Sequence, residues 1–204
     1  MIQEKFYYVI LFKSRKKDNL NVPGFKTRSK TFLIEDQSIE NFKKMLNAFC
    51  DFTSRGAKGE LSRFYISVNK RDHNKVRKAL AVKLINEDNI NIAKINSIIC
   101  SIAAKPENAA EHKWLFDLDT TDESTIDSFE EDLKESLGED NKYTASGTPN
   151  GIHFVVDHGF DCRKLIEKYK DVVELKRDAM KLVLTYQNNG EESLHFKNNY
   201  GKTN

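Results

Sequence analysis

The sequence predicts an α+β fold on three observations. Strand-like and helix-like segments alternate from end to end, prolines and glycines are few, and no long polar linker interrupts the series. The chain has 204 residues, with three prolines and nine glycines. Domains usually run ~100–200 residues, so the length suits one domain, with one lobe or two. A core of this size needs no disulfide or metal staple. The 39% hydrophobic and 31% charged composition is that of a soluble globular protein.

Phe6–Phe12 is apolar and β-rich, a first strand, and Ser29–Ile34 is a short second one. From Ser38 to Phe52 the apolar residues Ile39, Phe42, Met45, Leu46 and Phe49 follow a helical rhythm, with Ser38 as N-cap. Arg63–Val68 alternates as a strand does. His73–Ile85 reads as a helix with Val76, Leu80 and Leu84 on one face, and Ser97–Ala103 suits either state. Lys113–Leu118 is a buried strand, and Glu123–Leu137 an acidic amphipathic helix. Tyr143–Ser146 and Ile152–Val156 are strands around a turn. Asp161–Tyr169 is a helix and Met180–Thr185 a last strand, followed by a polar, Asn-rich tail expected to fray.

No apolar stretch approaches the ~20 residues a membrane helix needs. The N-terminal apolar run precedes its basic run, the reverse of a signal peptide, so the cytoplasm is the expected compartment. Cys50, Cys100 and Cys162 form no CxxC pair and read as buried or half-buried thiols. A net charge of +2 argues against binding nucleic acid through total charge, while leaving room for a local basic groove.

Four segments have the makings of chemistry. In WLFDLDTTD, residues 114–122, Asp117 and Asp119 stand two apart at the end of an apolar strand, hence on one side of it. Two such carboxylates repel unless a cation lies between them, and Mg²⁺ or Mn²⁺ suits hard oxygens. A solvated strand end running into a helix cap explains the same residues. In TASGTPNGIHFVV, a turn from Ser146 and Gly147 to Gly151 leads into a strand carrying His153. Small residues let backbone N–H groups approach an anion, and the histidine can donate to a phosphate. An ordinary hairpin with an exposed histidine fits equally. In VVELKRDAMKLVLTY, Asp178 precedes an apolar run and follows Lys176 and Arg177, a third acid with cations for phosphate, or a surface charge cluster. The strand SRFYISVNKRD, residues 62–72, ends in basic residues that suit a template groove, or is plain core.

Taken together, Asp117-Leu118-Asp119, then Ser146-Gly147 to Gly151-Ile152-His153, then Asp178 resemble the ordered motifs of the archaeo-eukaryotic primase (AEP) superfamily. The likeness extends to the strand Phe64–Asn69 and covers about residues 60–186. It is to small phage and plasmid primase-polymerases, and its Ser-to-His segment is similar to that in polymerase domains of bacterial end-joining ligases. The resemblance implies an AEP-like, RRM-like catalytic sheet with helices over residues 61–190. A small N-terminal α/β lobe would occupy 1–60 and a polar tail 191–204. It implies a DNA primase or polymerase working by two-metal phosphoryl transfer. Asp117, Asp119 and Asp178 would be the catalytic metal ligands, with Glu174 and Asp171 as substitutes for the third. Ser146, Gly147, His153, Lys176 and Arg177 would bind the nucleotide. The implied cofactor is Mg²⁺ or Mn²⁺. Nucleoside triphosphates, a single-stranded DNA template and a helicase or other replication proteins are the implied partners.

Two rivals fit part of the pattern. FDLDTT matches the DxDxT element of haloacid-dehalogenase-type phosphatases, with Asp117 as nucleophile, but no later GDxxxD occurs. A catalytically degenerate primase fold would bind nucleic acid or protein without metal dependence.

Overall fold

Alternation along the chain builds nine strands and five α-helices among the described residues, which are 5–140 and 142–189 of the computed structural model. The fold is α+β, with two antiparallel sheets. Two compact units divide the chain. One holds the described residues up to Glu111 and from Leu182 on, and the other is His112–Lys181. No helix among the described residues is long and apolar enough to cross a membrane. The tail expected over 191–204 lies outside the described residues.

The first unit begins with β1 (Phe6–Ser14), β2 (Arg28–Ile34), α1 (Ile39–Ser54), β3 (Leu61–Ser67), the two-residue β4 (Arg71–Asp72), α2 (His73–Asn86) and α3 (Ile95–Ala103). Its sheet runs β2-β1-β3-β9, with β4 also on β1, where β9 is Met180–Gln187. The core forms where the inward residues of β1, Ile10 and Phe12, meet Phe64 of β3 and Phe49 and Phe52 of α1. Phe12 and Phe64 pack edge to face at 5.0 Å, a geometry aromatic rings favour. Ser38 caps α1 by accepting from Asn41 N–H, as its sequence position predicts. The Ser97–Ala103 segment is helical and buries Cys100, Ile102 and Ala103. On α2 only Val76 of the expected apolar stripe is buried, and Leu84 is exposed. The boundary read at residues 60 and 61 falls inside this unit, because β3 hydrogen-bonds to β1. All three cysteines are free, and burial raises each thiol's pKa.

The second unit is a β-α-β-β-α-β series: β5 (Trp114–Leu118), α4 (Glu123–Leu137), β6 (Tyr143–Thr148), β7 (Gly151–Val156), α5 (Arg163–Lys168) and β8 (Val173–Lys176). The strand order is β6-β7-β5-β8, so β5 and β7 are central and β8 is an edge. Strand residues alternate sides, and here the alternation sorts them sharply. Phe116, Leu118, Phe154 and Val156 are fully buried and pack with Phe129, Leu133 and Leu137 of α4 and Leu165 of α5. Ile126, Phe129, Leu133 and Leu137 recur at helical spacing, which is why α4 lies on the sheet along that stripe. Asp122 caps α4, accepting from Thr125 N–H at 2.9 Å. Gly138 ends the helix at φ +64°, a positive φ that glycine adopts without a Cβ clash. The last acid of the DLDTTD segment is therefore a helix cap.

Strand β8 was not anticipated from the sequence. Its Val173 and Leu175 join the helix-covered core, and the alternate residues Glu174 and Lys176 face the other way.

Candidate active site

The opposite face of the second sheet carries a polar row across its strands, next to the buried pair Leu115 and Val155 on the central two. Register sets Ser146 of β6 beside His153 of β7, His153 beside Asp117 of β5, and Asp117 beside Glu174 of β8. Directly paired residues point to the same side of a sheet, so these four form one row across all four strands. Helices α4 and α5 pack on the other face, against the residues that alternate with the row. Asp117 and His153, remote in sequence, converge: His153 Nε2 lies 3.1 Å from Asp117 Oδ1.

Lys176 completes the arrangement. Its ammonium lies 2.5 Å from Asp117 Oδ2 and 3.0 Å from Glu174 Oε2, bridging the two acids. Burial alone would raise the Asp117 pKa, but the hydrogen bonds from His153 and Lys176 outweigh it and hold the value at about 2. For Lys176, burial pulls the ammonium pKa down, and its bonds to Asp117 and Glu174 raise it above the ordinary value. Asp117 is thus an ionised carboxylate with both oxygens engaged.

Two atoms of the row lack partners. Ser146 Oγ and His153 Nδ1 are buried and accept or donate no hydrogen bond. Ser146 is 7% exposed and His153 6%. A buried polar atom without a partner costs roughly 1–3 kcal/mol, so two on neighbouring register positions mark a place suited to an oxygen-rich ligand. An ionised carboxylate only accepts, so Nε2 carries the proton in the contact with Asp117; Nδ1 then accepts from a ligand donor in the neutral ring and donates to a ligand oxygen in the doubly protonated one.

Gly151 has a different task from the anion cradle its turn suggests. A Cβ there would stand 1.9 Å from the Leu118 carbonyl oxygen and 2.9 Å from Thr120 N. The bare glycine lets the start of β7 press against the backbone at the end of β5, fixing His153 against Asp117. Gly147 has open space around it and suits the approach of a ligand.

The remaining candidates separate. Asp119 follows β5 directly; its side chain is exposed, and its N–H donates to Val172 O at 2.8 Å. Asp178 lies past the end of β8. Because β8 runs antiparallel to β5, residues after Lys176 proceed toward the Trp114 end, away from Asp119. The acid that register sets beside Asp117 is Glu174, and Asp171 precedes the Val172 carbonyl that Asp119 contacts. Arg177 stacks on the Trp114 ring, 5.2 Å from its centroid, at the other end of β5. Of the basic pair, Lys176 is the one seated between Asp117 and Glu174. Its role was legible in principle: Val173-Glu174-Leu175-Lys176 has the two-residue alternation of a strand.

Among the described residues no group of three or more His, Cys, Asp and Glu side chains is arranged to hold a metal ion. Mg²⁺ bound with a nucleotide needs less than such a cage. It keeps waters and phosphate oxygens and takes one or two carboxylates. Asp117 and Glu174, already sharing one cation in Lys176, are a hard-oxygen pair that fits this use. No protein-family model matches the chain, and no curated protein or solved structure matches it.

Proposed function

We propose that this chain is a nucleotidyltransferase of the primase-polymerase type, using the face of its second sheet opposite α4 and α5 to join nucleotides on single-stranded DNA. The observation that carries this reading is the row Ser146, His153, Asp117 and Glu174. It gathers acid, imidazole and hydroxyl from four strands onto one face, with two of its polar atoms unsatisfied. The β-α-β-β-α-β order is the split arrangement of RRM-like sheets and supports the reading.

In this reading Ser146 Oγ–H donates to a phosphate oxygen of the incoming nucleoside triphosphate, and His153 donates through Nδ1–H when the imidazole carries both protons. Gly147 gives room for its approach. Asp117 fixes the imidazole ring through Nε2, so that Nδ1 is aimed rather than free to turn. Asp117 and Glu174 are the residues that would hold Mg²⁺ or Mn²⁺. Bound there, the ion would neutralise charge on the transferring phosphate.

A nucleotide-incorporation assay on single-stranded templates with Mg²⁺ or Mn²⁺ tests this. Wild type extends, and Asp117→Ala loses about 10²-fold or more, the usual scale for removing a group that stabilises transition-state charge. Equal extension by the variant would refute the assignment.

One observation favours a second reading, a degenerate primase-fold module. Both Asp117 oxygens are engaged by the protein's own cationic and hydrogen-bonding groups. Such a module binds single-stranded DNA, with a steep salt dependence and no response to chelator. Template binding in EDTA combined with silent incorporation assays would select it.

A further inference from the structure

We infer that Lys176 is the resident counter-cation of the Asp117–Glu174 pair, and that a divalent ion binds there only by displacing it. The inference rests on the metal-dependent reading above and adds to it a built-in competitor.

Three features carry it. The ammonium already bridges the two acids, at 2.5 and 3.0 Å, so ammonium and divalent ion compete for the same oxygens. Asp117 is half-buried, its side chain 15% exposed, and an ionised carboxylate so enclosed needs a positive partner whenever no metal is present. Lys176 is built to leave. It sits at the end of edge strand β8, its side chain is 35% exposed, and its second partner, Glu174, is 68% exposed. A lysine is a compact charge on a flexible four-carbon stem, so it can swing to solvent or to a phosphate without moving the strand. Further along the same row, on the strands beyond Asp117, the unpartnered His153 Nδ1 and Ser146 Oγ mark room for the polar ligand that would accompany the ion.

The consequence is a threshold. Alone, the divalent ion must expel a bound cation and binds weakly. Arriving with a triphosphate, it brings an anion for the displaced ammonium to meet. Lys176 thus couples metal uptake to nucleotide binding, keeping the bare site from collecting metal.

Titration of the intact protein with Mn²⁺, followed by the electron paramagnetic resonance signal of the free ion, tests this directly. A neighbouring charge changes a carboxylate's affinity for a proton by ~10-fold or more, and a divalent ion feels it at least as strongly. K176M therefore binds Mn²⁺ about 10-fold or more tightly than wild type, K176R stays with wild type, and D117N/K176M loses the gain. K176Q serves in place of K176M if the apolar side chain does not fold. The melting temperature gives a second readout: in EDTA K176M melts below wild type, and Mn²⁺ restores it. Equal Mn²⁺ binding by wild type and K176M overturns the inference while leaving the metal-dependent function standing. Absence of Mn²⁺ binding in both removes the two together.

Discussion

The two faces of the second sheet come from the same strands, residue by alternate residue, yet only one of them sets buried apolar Leu115 and Val155 next to a polar row. On the face under α4 and α5, Phe116, Leu118, Phe154 and Val156 are sealed among aromatic and aliphatic side chains. On the other, Asp117, His153, Ser146 and Glu174 stand in a row, two of them with unsatisfied atoms. Hydrophobic burial supplies the stability of the first face. The second retains charged and unpartnered polar groups that stability alone does not require. That contrast within one layer is the reason to read the polar face as a working surface.

Substitutions on the two faces should separate accordingly. The largest effect is expected from Phe129→Ala, which empties the centre of the helix-covered core. Truncating a fully buried phenylalanine costs about 3–5 kcal/mol, measurable as a lower urea midpoint. Gly151→Ala comes next. Its Cβ would meet the Leu118 carbonyl at 1.9 Å, and overpacking of that kind costs about 3 kcal/mol. This change also shifts His153 off Asp117, so nucleotide binding falls with stability.

Asp117→Asn sharpens the comparison through pH. The folded pKa of Asp117 is depressed, from 3.8 to about 2. Its ionised form therefore contributes stability that is present above about pH 4 and is lost as pH falls toward 2. The contribution is about 2 kcal/mol. Urea unfolding across that acid range should show the loss in wild type and a flatter profile in Asp117→Asn. A variant as acid-sensitive as wild type would mean that the row is not what titrates. Smallest of all is Ser146→Ala. Removing a hydroxyl that has no partner should leave urea stability within about 0.5 kcal/mol of wild type while weakening nucleoside triphosphate binding. A large stability loss would instead make Ser146 a structural residue.

Much of the second unit was legible in the chain. The α4 helix occupies Glu123–Leu137, the span its periodicity outlines. The strands around the Ser146–Gly151 turn carry their alternation openly. The meeting of Asp117 and His153 was inferred from motif order and is a contact in the fold. What stayed hidden was non-local. Strand β8 is four residues long, and its charges read as a surface cluster until it pairs with β5. Register, which no local pattern fixes, decides that Glu174 rather than Asp178 stands beside Asp117. The same pairing turns Lys176 from a phosphate-binding candidate into the partner of two acids. Gly151 resembled a flexible turn residue, and its real constraint, contact with the Leu118 backbone, needs the folded neighbour to be seen.

A crystal structure with Mn²⁺ and a nucleoside triphosphate is the most direct measurement of whether the polar face is a cation and nucleotide site. The expected result is anomalous Mn²⁺ density on the Asp117 carboxylate, Lys176 displaced from it, and phosphate oxygens within hydrogen-bonding distance of His153 Nδ1 and Ser146 Oγ. Nucleotide bound elsewhere, with Lys176 still seated between Asp117 and Glu174 and no metal on either, would contradict it.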